Sequence, residues 1–390
     1  MHDEAWISER LGDLRKRHLD RHVQAYNEAG GKIRIGKRTY LNFSSNDYLN
    51  LARHPDVVAK ASEALRITGG GAGASRLLTG TLTWHDELEQ KLASYKGYPC
   101  ALLFGSGFLA NVGTIPALMG RNDYVFADKL VHASIVDAVM LSRAKLCRFR
   151  HNDVEHLEQL LKKSKTSQRR LVVTESVFSM DGDLAPLQDI AHVAQRHDAM
   201  VMVDEAHATG VFGPKGGGVV REWELESMIN IDLGTLSKAF GGYGGFVSCS
   251  ESMRAFLINH ARSFIYSTAL PPSVVGAALG ALQVTEENCD LGSQLLQNAA
   301  AFRNRLDEAG LKTGNSASQI VPIMVGRNSK VVAISQKLRE QGIIAVAIRP
   351  PTVPKGTARL RLSVTLAHTE RDLEYAGQVI IATARDEGLL

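Results

Sequence analysis

The sequence predicts an α/β protein, with a larger domain on a mostly parallel sheet and a smaller α+β domain at the C-terminus. Two patterns carry this. From about Pro55 onward, short Val-, Ile- and Met-rich runs alternate with helical patterns. Near-continuous apolar runs between helices mark strands buried on both faces, hence a parallel sheet. After about Glu286 the rhythm changes to helix, strand, helix, two strands and a closing helix. With 390 residues, 44% hydrophobic and 22% charged, the chain has material for a large core and more than one domain. The expected division is an N-terminal helix and hairpin (1–45), a large domain (46–285) and an α+β domain (286–390).

In chain order, Glu4 to about Ala25 reads as a basic amphipathic helix. "KIRIGKRTYLNFSS" alternates around Gly36 and reads as a hairpin. The clearest buried strands are "RLVVTESVF" (Arg170–Phe178), "AMVMVDEAHATG" (Ala199–Gly210), "MINIDLGT" (Met228–Thr235) and "GGFVSCS" (Gly244–Ser250). A helix over about Gly292–Ala309 leads into "QIVPIMVG", a further helix, "GIIAVAIRPPTVP", "ARLRLSVTLAH" and the last helix. Two stretches, Ala101–Gly120 and Ile265–Thr285, lack charge. Their glycines, prolines and polar residues favour buried strand–loop–helix segments over membrane spans.

Composition narrows the function. A net charge of +4 is too small to argue for nucleic acid or an anionic membrane, and at most suggests an anionic small molecule. Cys100, Cys147, Cys249 and Cys289 are far apart and form no C-x-x-C pair. That pattern fits reduced thiols in a cytoplasmic protein, with neither a disulfide framework nor a structural metal. The charged N-terminus is no signal peptide.

Within "GTLSKAFGGYGGF", Lys238 stands among glycines, small hydroxyls and aromatics, with no charged residue near it in sequence. A lysine so placed is either a snorkelling surface residue or a reactive amine able to form a Schiff base. "VDEAH" (Val203–His207) resembles a helicase acidic box, but that box needs a phosphate-binding loop upstream. In the nearest approach, "GKIRIGKR", Arg38 stands where the metal-binding hydroxyl belongs. "GSGFLAN" (Gly105–Asn111) follows an apolar run and opens a helical pattern, a setting in which backbone N–H groups bind phosphate. Asp204 ends one strand with His207 one turn later. Ser179 follows the preceding strand, and Thr235 and Lys238 end the next. Carboxyl ends of successive parallel strands are where ligands bind in open α/β sheets. An amine, an acid for a ring nitrogen and donors for a phosphate are together what pyridoxal 5'-phosphate requires.

The chain resembles the α-oxoamine synthases, within the fold-type I pyridoxal-phosphate-dependent transferases. The resemblance runs nearly end to end, through "LNFSSNDYLNLARHP", "GSGFLANVG", "DKLVHASIVDA", "HNDVEHL", "ESVFSMDGDLAPL", "VDEAHATGVFG", "TLSKAFGGYGGF", "YSTALPP" and "IRPPTVPKGTARLRL". It implies a large domain with a seven-stranded, mostly parallel sheet. It implies Lys238 as Schiff-base lysine and proton-transfer base, Asp204 at the pyridine nitrogen and His132 stacked on the ring. His207 and Ser179 would lie near the ring hydroxyl, and Gly107, Phe108 and Thr235 at the phosphate. Ser267 and Thr268 would reach the phosphate of a neighbouring subunit, which implies a homodimer. Arg349 would clamp the amino acid carboxylate, with Arg21, Asn46, His132 and Thr352 at substrate-contact positions. "GGGAGASRLLTG" (Gly69–Gly80) is assigned only loosely to the acyl-thioester side.

The implied reaction is decarboxylative condensation of L-alanine with a pimeloyl thioester, carried by coenzyme A or an acyl-carrier protein. Glycine-using members of the family are the alternative, and a non-catalytic scaffold subunit, which lacks the lysine, is a further one.

Overall fold

The computed structural model describes residues 4–26, 30–165 and 167–390. The chain divides into two compact units. The smaller comprises the described residues up to Asn46, with Met180–Asp183 and Leu295–Leu390, and the larger comprises Asp47–Ser179 and Leu184–Gln294.

The N-terminal helix α1 spans Ala5–Lys16 and stops well short of the expected Ala25. His18 adopts a left-handed φ of 53°, and Leu19 N–H turns back to the Leu14 carbonyl. None of the helix's residues is buried, so no packing extends it past that turn. Strands β1 (Lys32–Ile35) and β2 (Arg38–Asn42) form the expected antiparallel hairpin. Gly36 sits in its turn at φ 61°, a conformation glycine adopts without steric cost.

The larger unit begins with α2 (Pro55–Thr68) and α3 (Thr83–Lys96). Then come β3 (Cys100–Phe104), α4 (Gly107–Leu118), β4 (Tyr124–Asp128), α5 (Ala133–Ser142), β5 (Lys145–Phe149) and α6 (Val154–Lys163). They are followed by β6 (Arg170–Glu175), α7 (Leu187–Arg196), β7 (Met200–Asp204), α8 (Val219–Glu222), β8 (Ile231–Thr235) and β9 (Gly245–Cys249). Helices α9 (Glu251–His260), α10 (Arg262–Ile265) and α11 (Pro272–Glu287) close the unit. The seven strands form one sheet in the order β3-β9-β8-β7-β6-β4-β5. All neighbours are parallel except those of β9, which runs antiparallel to both β3 and β8. Every residue of β6, β8 and β9 is buried, as the apolar runs require of a sheet covered on both faces. The charge-free stretches are β3 with α4, and the end of α10 with α11. No helix among the described residues is long and apolar enough to cross a membrane.

Helix α12 (Leu291–Glu308) runs into the smaller unit. There β10 (Ile320–Gly326), α13 (Asn328–Glu340), β11 (Ile343–Ile344), β12 (Val346–Ile348), β13 (Ala358–Ser363) and α14 (Glu370–Asp386) follow. β13 pairs antiparallel with both β10 and β12, while β11 adds parallel to β2 of the N-terminal hairpin. Arg359 on β13 pairs with Asp181, which ties the Met180–Asp183 segment into this unit.

Candidate active site

Strands β6, β7 and β8 lie side by side and parallel, so they deliver their last residues to one edge of the sheet. Glu175 closes β6, Asp204 closes β7 and Thr235 closes β8. Lys238 follows three residues beyond Thr235. Its Nζ lies 2.8 Å from His207 Nε2, and His207 Nδ1 lies 2.7 Å from the Tyr48 hydroxyl. Tyr48 is fully buried. The neighbouring Asp47 carboxylate accepts from Leu51 N–H at 2.8 Å and Ala52 N–H at 3.2 Å, fixing the turn that presents the phenol. A proton at the amine therefore has an imidazole and then a phenol in hydrogen-bonding sequence behind it.

A second chain starts at Asp204. One carboxylate oxygen accepts from Ala206 N–H and the other from Asn111 Nδ2, each at 3.0 Å. Asn111 Nδ2 also lies 3.0 Å from Ser134 Oγ, which is 2.7 Å from His132 Nδ1. His132 caps the start of α5 and so is fixed at both backbone and ring. Burial depresses the His132 pKa, with Lys238 adding to the effect and Asp204 and Asp137 opposing it. The imidazole is thus neutral near pH 7, a flat ring suited to stacking. Glu175, in register with Asp204 on the adjacent strand, is pushed up to about 8, first by burial and then by the Asp204 charge. It is a carboxylic acid at neutral pH, and accepts from Ser179 N–H at 3.3 Å.

Gly107 opens α4 behind the capping Ser106, whose Oγ accepts from Leu109 N–H at 3.1 Å. A Cβ at Gly107 would sit 3.7 Å from the Thr235 side chain, so the bare glycine keeps a hollow between helix start and strand end. The Thr235 hydroxyl lies 2.8 Å from both Ser237 Oγ and the Gly244 carbonyl. Phe108 is half exposed. The hollow, the helix N-terminus and the hydroxyls suit a phosphate. Asn111 Oδ1 and Glu175 Oε1 are buried with no hydrogen-bond partner among the described residues, so polar capacity remains around Asp204. An amine, a buried carboxylate, an imidazole and a hollow at a helix N-terminus have the chemistry that fits pyridoxal 5'-phosphate. Ser267 and Thr268 line a small cleft with Arg76 and His85, where Thr268 bridges to Ser75 of the glycine-rich Gly69–Gly80 segment.

Apart from His132, which belongs to the larger unit, the expected substrate residues lie in the smaller unit, in two groups. Arg349 donates to the carbonyls of His18 (2.6 Å) and Asp20 (3.2 Å), and Arg21 Nη2 reaches the Thr352 hydroxyl at 3.4 Å. These residues line a cavity of about 800 Å³. Asn46 instead accepts, at 3.3 Å, from Arg361, a buried guanidinium on β13 that also donates to Ser363 Oγ at 2.9 Å. Tyr48, Asn111, Ser134, Glu175 and Arg361 were not singled out from the sequence. Asn111 had a signal, a lone amide in the apolar helix "GFLANVGTIPAL", and Arg361 had another, an arginine inside a strand pattern.

Comparison with known proteins agrees with this geometry. The family model for aminotransferase class I and II matches residues 38–380. The 8-amino-7-oxononanoate synthase of Geobacter sulfurreducens is 44% identical over 98% of this chain and 99% of its own length. A putative 8-amino-7-oxononanoate synthase of Geobacillus kaustophilus is 42% identical over 98% and 99%. Among solved structures, a serine palmitoyltransferase from S. paucimobilis superposes with a TM-score of 0.93 at 34% identity, covering 99% of this chain and 98% of the other. The 8-amino-7-oxononanoate synthase of Francisella tularensis does so with 0.77 at 31%, covering 90% and 99%.

Fold and site together define a pyridoxal-phosphate-dependent transferase of fold type I. The chain belongs to the class I and II aminotransferase family and, within it, to the group of relatives named 8-amino-7-oxononanoate synthase.

Proposed function

We propose that the protein condenses L-alanine with a pimeloyl thioester to give 8-amino-7-oxononanoate, carbon dioxide and free thiol, a step of biotin synthesis. The observation that carries this reading is the Lys238–His207–Tyr48 chain beside an Asp204 held by Asn111. Pyridoxal phosphate, when bound, supplies an aldehyde for the amino group and a protonated ring that takes up electron density from the α-carbon. Lys238 Nζ removes the alanine α-proton and later returns one, with His207 and Tyr48 relaying it. Asp204 would pair with the ring nitrogen of the bound cofactor, and His132 would cover its ring face. Ser179 and His207 would lie near the ring hydroxyl, while Gly107, Phe108 and Thr235 would hold the phosphate. The alanine α-carbon bonds to the thioester carbonyl carbon as the thiolate leaves. The resulting β-keto acid then loses its carboxylate as carbon dioxide.

The amino acid carboxylate requires a guanidinium, which binds it through two parallel hydrogen bonds. Arg361 is our candidate because its guanidinium is buried beside Asn46 while Arg349 is only partly buried; each already donates to two groups of the protein. Arg349, Arg21 and Thr352 then belong to the acyl substrate. Ser267 and Thr268 act on the cofactor phosphate of a second copy in a cytoplasmic homodimer.

Similarity to a serine palmitoyltransferase favours a second reading, with serine as donor and a long-chain thioester as acceptor. Thiol release from pimeloyl-CoA and pimeloyl-acyl-carrier protein, measured with alanine, glycine and serine, decides between them. Alanine is expected to be fastest, with glycine accepted slowly, because one methyl group is worth only about 1–3 kcal/mol of discrimination. Faster turnover of glycine with acetyl-CoA, or of serine with palmitoyl-CoA, would overturn the proposal.

A further inference from the structure

Behind the turn that bears Asp204 and His207 lies a group of charges that the reaction does not use. Lys96, the last residue of α3, has Nζ 2.6 Å from Glu205 Oε2 and 2.9 Å from Asp232 Oδ2. All three side chains are 0% exposed. Thr209 Oγ1 lies 3.5 Å from the same nitrogen. The second Glu205 oxygen accepts from the N–H groups of Val219 (2.8 Å) and Val220 (3.1 Å).

Glu205 is also the backbone pivot of the turn. Its N–H donates to Leu233 on β8 at 2.7 Å, and its carbonyl accepts from Ala208 at 2.9 Å and Thr209 at 2.8 Å. Consecutive residues of an extended chain project to opposite sides. Accordingly Asp204 reaches Asn111 while Glu205 reaches Lys96. Holding one side chain on its side therefore orients the other.

The cluster is mutually paired as well as buried. Two carboxylates face one ammonium. Burial pushes Asp232 well above the ordinary carboxylate range, Glu205 adds to this and Lys96 opposes it. Burial works to discharge Lys96, but the two carboxylates outweigh it and hold the amine above its usual value. Gly218 completes the enclosure, since a Cβ there would strike both the Glu205 carboxylate and the Lys96 amine.

We propose that Lys96, Glu205 and Asp232 form a positioning triad that sets Asp204 and His207 in register with the cofactor and Lys238. The proposal rests on the roles given above to Asp204 and His207. Lys96 supplies the charge that keeps Glu205 extended into the cluster, and Glu205 transmits that position along the backbone to both site residues.

The test uses the cofactor-loaded protein and four variants: Asp232→Asn, Glu205→Gln, Lys96→Met and Lys96→Met/Glu205→Gln. Each is assayed for melting temperature, cofactor affinity, the pH titration of the visible band of lysine-linked cofactor, and deuterium wash-out from the alanine α-position. Asp232→Asn removes the second carboxylate facing Lys96. It is expected to move affinity, titration and wash-out in the same direction as Glu205→Gln but less, because Asp232 lies on β8 and not on the turn. Glu205→Gln is expected to weaken cofactor binding, displace the titration of the visible band and slow wash-out by about 10²-fold, the penalty of a small misplacement. Lys96→Met leaves a buried carboxylate unpaired and is the variant most exposed to misfolding. The double variant removes one charge of each sign, and is expected to recover folding while keeping the displaced titration. If Glu205→Gln and the double variant lower only the melting temperature, with affinity, titration and wash-out unchanged, the triad is structural alone and the proposal is overturned. Absence of the visible band from the unmodified protein would instead overturn the functional reading, and this proposal with it.

Discussion

Tyr48 has one polar side-chain atom, is wholly buried, and directs that atom at His207. Tyr48→Phe keeps the ring and removes only the hydroxyl, so His207 loses the group that orients its Nδ1 side. Wash-out of the alanine α-deuteron is expected to slow by about 10²-fold, the lower end of what positioned proton-transfer groups contribute, with little change in alanine KM. Asp204→Asn is expected to retain cofactor but slow the same step more, by about 3–4 kcal/mol of barrier, because a neutral amide no longer favours a protonated ring. The two arginines separate by kinetics. Arg361→Lys is expected to raise the KM for alanine, and Arg349→Lys that for the thioester. The reverse pattern would restore Arg349 as the carboxylate clamp. Lys238, Asp204 and His207 were legible because each follows the end of an apolar run, where a parallel sheet puts its chemistry. Tyr48 and Asn111 were not, because their partners lie 159 and 93 residues away and nothing local marks the meeting.

Elements were read well where hydrophobic period and tertiary burial agree. The runs in β6 to β9 are buried along their whole length in β6, β8 and β9, and the sequence pattern located all four. Helix α1 was overextended because its pattern continues past Lys16 while the chain itself turns at His18. The β1–β2 hairpin is held partly by one buried ring beside it. His368 Nε2 lies 3.1 Å from the Gly31 carbonyl, Thr365 N–H donates to its Nδ1 at 3.2 Å, and the ring stacks on Phe43. Burial depresses its pKa to about 4 from the ordinary 6.5. The unfolded chain therefore binds a proton that the folded chain refuses between those values. The stabilisation is complete above pH 6.5 and is lost as pH falls toward 4, amounting to about 3 kcal/mol. Urea unfolding from pH 7.5 to 4 is expected to show this loss, and His368→Gln to flatten it.

For the whole molecule, the proposed homodimer has a direct test in mixed subunits. Lys238→Ala removes the amine of its own site, and Ser267→Ala/Thr268→Ala removes the hydroxyls offered to the neighbour. If each copy completes the other's phosphate site, mixing the two inactive proteins under subunit exchange is expected to restore thiol release. No recovery after verified exchange would place Ser267 and Thr268 in their own subunit's site.

The one antiparallel strand of the large sheet has a consequence for which changes of sequence the protein can survive. β8 and β9 are partnered from Thr235–Gly245 to Ile231–Cys249, and Leu236 N–H closes the loop onto the Gly244 carbonyl at 3.0 Å. Lys238 thus rides a hairpin whose length is counted from both ends. Substituting the exposed Ser237 or Tyr243 alters a surface, whereas Leu236, Ala239 and Phe240 are buried. Deleting a residue between Leu236 and Gly244 slides β9 by a single position, and every side chain from Gly245 to Cys249 then changes face inside a sheet buried on both sides. The segment that carries Lys238 is open to rewriting only at its exposed letters and closed to editing by length.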